Sequence, residues 1–267
     1  MKTPAKLAVT VSAALALVVI GACVHMEDSG KSAFILTSVS QEASLGAQSF
    51  TQIKSGGRVS RDPVANAQVQ RVANNLIKVI NMPDTQWEVV VFDDPTPNAF
   101  ALPGGKIGVN TGILPLTVND AGLAAVIGHE LAHVKFRHGG QRMTRDMGIQ
   151  YGSAAVGALL DFKNVQNRDM VMGALGVGAQ VGLTLPFSRG DESEADHYGL
   201  IYMARAGYDP REAVGFWQRM EDYSKKSGNK TSGLLSTHPS DAARVKQIQQ
   251  WLPEAEAVHQ QTARNNN

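Results

Sequence analysis

Apolar residues recur at helical spacing along much of the chain. Val69, Val72, Ala73, Leu76, Ile77 and Ile80 follow the i, i+3, i+4, i+7 rhythm of a helix with one buried face. Asp62-Pro63 opens that helix, with Asp as cap and Pro in the first position. Upstream, Ser40-Gln41-Glu42 reads as a cap and first turn leading through Leu45 and Phe50 to Ile53, and Gly56-Gly57 breaks the pattern. Both segments read as packing helices. Trp87 to Phe92 is a β-rich run ended by Asp93-Asp94-Pro95. From Pro97 to Gly112 the pattern predicts two short strands joined at Pro103-Gly104-Gly105, the second being Lys106 to Asn110. Leu123 to Val134 is different in kind. Leu123, Val126, Ile127, Leu131 and Val134 spread over several helix faces, which predicts an enclosed helix capped by Asn119 or Asp120. Residues 209–225 and 240–257 read as further packing helices, and the tail 258–267 as polar and frayed. The expectation is an α+β domain, mostly helical, with a small β-sheet beside the enclosed helix.

The N-terminus stands apart. Lys2 and Lys6 precede an apolar run from Leu7 to Ile20, then Gly21-Ala22-Cys23. A basic start, a short apolar core and small residues before a cut site describe a secretory signal rather than a fold element, and the run is short for a membrane span. The residues around the cut resemble a bacterial lipobox, so residues 1–22 are expected to be removed and Cys23 lipidated. An ordinary signal peptide with a chance cysteine and an uncleaved anchor are the alternatives. Val24 stands where an Asp would suggest inner-membrane retention. Residues 23–40, polar and without period, read as a tether from lipid to domain. The domain itself then spans 41–257.

Composition narrows the chemistry. With 43% apolar and 18% charged residues over 267 positions, one sizeable core is feasible. The net charge of +1 gives no argument for nucleic acid. Cys23 is the one cysteine, so the domain holds no disulfide and no thiolate ligand or nucleophile. Residues 141–187 are rich in Gly, Ala and Met and carry an uncharged run from Met170 to Phe187. Its glycines and Gln180 make it a poor span, and a helical hairpin or a cover near the site is preferred.

The enclosed helix carries His129-Glu130-Leu131-Ala132-His133, an H-E-x-x-H. Residues four apart share a helix face, so two imidazoles can hold one Zn²⁺. Glu130 is turned by about a quarter turn from His129, where it can reach a water on the metal as general base. Burial sharpens the reading, since two His and a Glu in apolar surroundings are costly unless something pairs them. A catalytic zinc takes three protein ligands and leaves one place open. Downstream, Glu192 and Asp196 are also four apart. Glu192 can supply the third ligand, and Asp196 can hold the far ring nitrogen of a ligating His. Glu194 lies about 160° from that line. His138, five residues past His133, is turned away and reads as a helix-end cation.

H-E-L-A-H followed by E-S-E-A-D resembles the gluzincin peptidases of the HtpX and CAAX-prenyl-protease type, whose pattern is H-E-x-x-H plus E-x-x-x-D. Asn98-Ala99-Phe100-Ala101 with the following P-G-G-x-I-x-V is similar to that family's strand pair beside the cleft. Ser236-Thr237-His238-Pro239 with Arg244 is similar to its late His-Pro segment, and Gly-Tyr-Asp-Pro at 207–210 to its periplasmic lipoprotein, LoiP- and BepA-like branch, without a tetratricopeptide domain. The resemblance covers most of residues 40–250 and implies a zincin-type fold. It implies His129, His133 and Glu192 as ligands of one Zn²⁺, Glu130 as base, and Asp196 behind the ligands. His238 would stand near the metal or the developing oxyanion. Asn98, Ala99, Phe100 and Arg244 would line the substrate site. The implied activity is zinc-dependent peptide hydrolysis on misfolded or misassembled envelope proteins, with assembly or quality-control partners. The implied address is the periplasmic side of the outer membrane, reached through the lipid on Cys23. A chaperone or assembly factor with a structural or latent zinc, marked by a closed four-ligand site, is the alternative. A metal-free anchored protein is a third.

Overall fold

The computed structural model describes residues 23–151, 187–227, 233–238 and 242–265. The expected signal segment and residues 152–186 of the expected cover lie outside the described residues. An N-terminal hairpin, β1 (Cys23–Met26) and β2 (Lys31–Phe34), is followed by α1 (Val39–Gly56) and α2 (Pro63–Val79). Then come β3 (Glu88–Phe92), β4 (Ala99–Leu102) and β5 (Lys106–Asn110), the short α3 (Leu114–Thr117), α4 (Asp120–Lys135) and α5 (His138–Tyr151). The chain ends in α6 (Arg189–Arg205), α7 (Arg211–Ser227), the single turn α8 (Leu234–Thr237) and α9 (Ala242–Asn265). No helix among the described residues is long and apolar enough to cross a membrane.

Local chemistry sets most boundaries. Asp62 accepts from the N–H groups of Val64 and Ala65, as its place before Pro63 predicts. Asn119 caps α4 by accepting from the Gly122 N–H at 2.8 Å. The first helix begins two residues earlier than Ser40 suggests. Ser38 and Gln41 satisfy each other's backbone N–H groups in a capping box. The tail does not fray where its polarity predicts, because α9 runs through Pro253 to Asn265.

Residues 23–40 are folded rather than a tether. Met26 and Ile35 are buried. The Asp28 carboxylate sits 3.2 Å from the Tyr202 hydroxyl and 3.4 Å from Lys135 Nζ, and its carbonyl accepts from Tyr198 at 2.8 Å. These two strands carry no readable period in the sequence, and every one of these partners is more than 100 positions away.

The three-stranded sheet has the order β3-β5-β4, with β3 and β5 parallel and β4 and β5 antiparallel. Alternation along the strands divides two cores. Val91, Ala99, Ala101, Ile107 and Val109 join the main core around α2 and α4. Phe92, Phe100 and Leu102 face the other way, into a smaller cluster with Leu45, Phe50 and Met143. Every residue of α4 from Gly122 to Val134 is buried.

The packing of α6 on α4 positions the site. Where they cross, a Cβ on Gly128 would lie 3.0 Å from the Gly199 carbonyl oxygen, and one on Gly199 only 2.9 Å from the His129 nitrogen. Two glycines therefore let the backbones approach closely enough for the first turns of α6 to reach the His129–His133 face.

A candidate metal centre

His129, His133, Glu192 and His238 each offer one donor atom, and the four atoms lie within 4.8 Å of one another. His129 Nε2 is 3.1 Å from both His133 Nε2 and His238 Nδ1. Glu192 Oε1 is 2.8 Å from His238 Nδ1 and 3.5 Å from His133 Nε2, while its Oε2 is 3.5 Å from His129 Nε2. Ligand atoms about 2.0–2.1 Å from a tetrahedral ion stand about 3.3 Å apart, so the donor set fits zinc in type and spacing.

The outer hydrogen bonds support that fit. His129 Nδ1 donates to Asp196 Oδ1 at 2.9 Å, which leaves its Nε2 a bare lone pair turned inward. Arg244 locks Asp196 with two bonds of 2.7 Å, Nε to Oδ2 and Nη2 to Oδ1. Its Nη1 stands 3.1 Å from Glu192 Oε2. Its guanidinium lies 3.4 Å over the Trp217 ring, which meets the His129 ring at 72° with centroids 5.6 Å apart. Phe187 stacks on His133 at 4.1 Å.

Burial and charge set the ionisation. Burial alone would raise the Glu192 carboxyl, but His238, Arg244 and His133 outweigh it and hold it well below the usual range. Asp196 is likewise held down against burial by Arg244 and His129. Burial pushes Glu130 up, against the pull of His238 and His129. Burial drives His133 well below its ordinary value, which keeps the ring neutral. His238 is raised, since Glu192 and Glu130 outweigh its desolvation.

Glu130 stands beside the donor set, not in it. Among the described residues its Oε1 is buried without a hydrogen bond, 3.4 Å from His238 Nε2. The Ala101 backbone of β4 also bonds this carboxyl.

Other expected residues fall elsewhere. Asn98 is half-buried and accepts from the Asn110 N–H at 2.9 Å at the start of β4. Ala99 belongs to the main core. Phe100 does not join the site, because strand alternation sends its ring onto Phe50 and Phe92. Arg244 does not line a substrate surface but is buried behind the donors. His138 is no helix-end cation. It is fully buried at the start of α5, with Nδ1 2.9 Å from His133 Nδ1 and Nε2 3.0 Å from Glu194 Oε2. Glu194 thus also serves the site, although its angular position on α6 pointed away. Burial would raise its carboxyl, yet His138 and Lys31 bring it down to about 2. The paired glycines at 128 and 199 were the one sequence signal for this close approach.

A buried H-E-x-x-H helix, a carboxylate from a second helix and an edge strand alongside define a metal-dependent peptidase of the zincin type. The sequence model of peptidase family M48 matches residues 63–252, and the chain belongs to that family. Its metal is zinc. The chain is 40% identical over 188 residues to the mitochondrial metalloendopeptidase OMA1 of Schizosaccharomyces pombe, covering 70% of this chain and 53% of that relative. It is 41% identical over 166 residues to OMA1 of Arabidopsis thaliana, covering 61% and 31%. It is 27% identical over 223 residues to the beta-barrel assembly-enhancing protease of Yersinia pestis, covering 82% and 46%. The chain spans about half the length or less of these relatives. They correct the expected address. The relatives at 36–41% identity are named as mitochondrial proteases, so the resemblance does not place this chain on the periplasmic side of an outer membrane.

Proposed function

We propose that this chain is a zinc-dependent endopeptidase in which His129, His133 and Glu192 hold the metal and Glu130 is the general base. The convergence of four donor atoms within 4.8 Å of one another, with the Nε2 lone pair of His129 turned inward, carries the reading. Bound Zn²⁺ supplies an acidified water and polarises the scissile carbonyl. Glu130 takes the proton from the attacking water at its unpartnered Oε1 and carries it to the leaving nitrogen. Burial raises its affinity for that proton, which suits a group that must hold it between the two transfers. Asp196, clamped by Arg244, keeps His129 in the tautomer that presents Nε2. An extended substrate adds itself along β4, the edge strand of the sheet, bringing its carbonyl past the Ala101 backbone toward Glu130. Asn98 stands at the start of that edge. Membrane attachment through Cys23 rests on the sequence pattern and on the exposure of that residue. Mass spectrometry of the mature N-terminus tests it, and an unmodified Cys23 would remove it.

His238 favours a second reading of the same site. It offers a fourth donor beside the other three, so all four residues together would close the site around a metal, as for a latent or structural zinc in a chaperone or assembly factor. Zinc analysis with casein proteolysis, with and without chelator, separates the two. Cleavage abolished by chelator and by Glu130→Gln, with zinc retained in that variant, supports the peptidase. Stoichiometric zinc with no cleavage by the wild type or by His238→Ala overturns it.

A further inference from the structure

One buried polar chain has no part in the reading above. His138 uses both ring nitrogens, one toward His133 Nδ1 at 2.9 Å and one toward Glu194 Oε2 at 3.0 Å. A carboxylate can only accept, so His138 Nε2 carries the hydrogen and donates to Glu194. A neutral His138 then has a bare Nδ1, which accepts from His133 Nδ1–H. That leaves His133 Nε2 as a lone pair aimed at the other donors. If His138 donated at both nitrogens, His133 would have to carry its hydrogen on Nε2 and could not bind a metal there. Among the arrangements these contacts permit, the neutral one makes His133 a ligand.

The chain reverses sharply to bring His138 to this place. Arg137 adopts φ +52, in the left-handed region that costs a non-glycine residue free energy. Its guanidinium is tied to the buried Glu42, Nη2 to Oε1 at 2.6 Å and Nε to Oε2 at 3.2 Å, and to the Thr37 carbonyl at 2.6 Å. Phe136 stacks on the His138 ring at 5.9 Å. The turn, the buried ion pair and the ring contact all hold one imidazole in one orientation.

We propose that His138 and Glu194 are positioning residues that fix the tautomer of His133 and thereby set the affinity of the site for zinc. The inference rests on the metal-centre reading and deepens it. Each helix histidine is then oriented by an acid of α6: His129 by Asp196 directly, His133 by Glu194 through His138. Zinc affinity of the full chain, measured by competition with a chromophoric chelator, tests the proposal. His138→Leu should weaken zinc binding about 10- to 100-fold, and Glu194→Ala should weaken it in the same direction. His138→Gln should restore most of the affinity, because its amide oxygen can accept from His133 and its NH₂ can donate to Glu194. The visible spectrum of the Co²⁺-loaded chain should change in His138→Leu and return in His138→Gln, a readout that packing alone would not move. Wild-type affinity in a folded His138→Leu overturns the inference, as does an equal loss in the Leu and Gln variants. Should His138→Leu fail to fold, wild-type affinity in Glu194→Ala overturns it instead. A wild-type chain that takes up no zinc would overturn the metal reading and this inference together, whereas the variant results concern the inference alone.

Discussion

The small apolar cluster on one side of the sheet and the polar centre on the other are built on opposite principles. On one side, Leu45, Phe50, Phe92, Phe100, Leu102 and Met143 fill a small core with apolar surface, and the three phenylalanine rings meet at 6.1–6.4 Å. On the other, behind Ala99 and Ala101, the crossing of α4 and α6 buries His129, Glu130, His133, Glu192, Asp196, His138 and Arg244. The apolar cluster is stabilised by area removed from water, which is additive and forgiving of shape-conserving change. In the polar interior each group is tolerable only while its partner is present. The contrast teaches that apolar packing, in this cluster and in the main core around α4, answers to buried area, whereas the polar centre answers to the geometry of its partners.

Substitutions can break or sharpen this contrast. Glu130→Gln should lower peptide cleavage by about 10²- to 10⁴-fold with zinc content unchanged, checked by turnover and metal analysis on one preparation. Arg244→Met should cost about 3–5 kcal/mol in denaturant unfolding, because it strands the Asp196 and Glu192 carboxylates in the interior. Phe50→Ala should cost a comparable 3–5 kcal/mol, about what a buried ring loses, yet leave zinc affinity where it was. A large fall in affinity there would erase the proposed division between the apolar cluster and the polar centre. Gly199→Ala should cost about 1–3 kcal/mol, since its Cβ meets backbone rather than a movable side chain, and should loosen zinc by spreading the crossing. The smallest effect belongs outside both interiors. Asp120 at the start of α4 pairs with Arg71, whose hydrogen bonds hold its carboxyl below the usual range against the opposing effect of burial. A depressed carboxyl contributes stability above its unfolded pKa and loses it as pH falls through the folded one. Asp120→Asn should therefore cost less than about 1 kcal/mol near neutrality, with the difference from wild type shrinking as pH falls through the lowered pKa of the folded carboxyl.

Much of this was legible in one dimension. The H-E-x-x-H spacing, the all-round apolar pattern of α4, the i, i+4 pair Glu192 and Asp196 and the turn at Pro103-Gly104-Gly105 each depend on contacts within a few residues. Helix and strand periods convert such contacts directly into faces. His238 was found by resemblance alone, because a lone histidine before a proline carries no period. His138 and Glu194 depart from the sequence expectation together. The spacing turns His138 away along a continued helix, but the chain reverses at Arg137 with φ +52, and His138 then meets Glu194 on the α6 face away from Glu192. Residues 23–40 read as a tether in sequence because the anchors of their hairpin, Lys135, Tyr198 and Tyr202, lie far along the chain.

By itself, then, the sequence determined which residue types could meet a metal, which helix would be enclosed, and the spacing that puts His129 and His133 on one face. Tertiary structure alone decided which acid serves which histidine, that Arg244 lies behind the donors, and that Phe100 belongs to the apolar side. The reason is physical. Periodicity fixes directions within one element, while the distance between elements depends on how closely two backbones can pass, and here that was set where Gly128 meets Gly199.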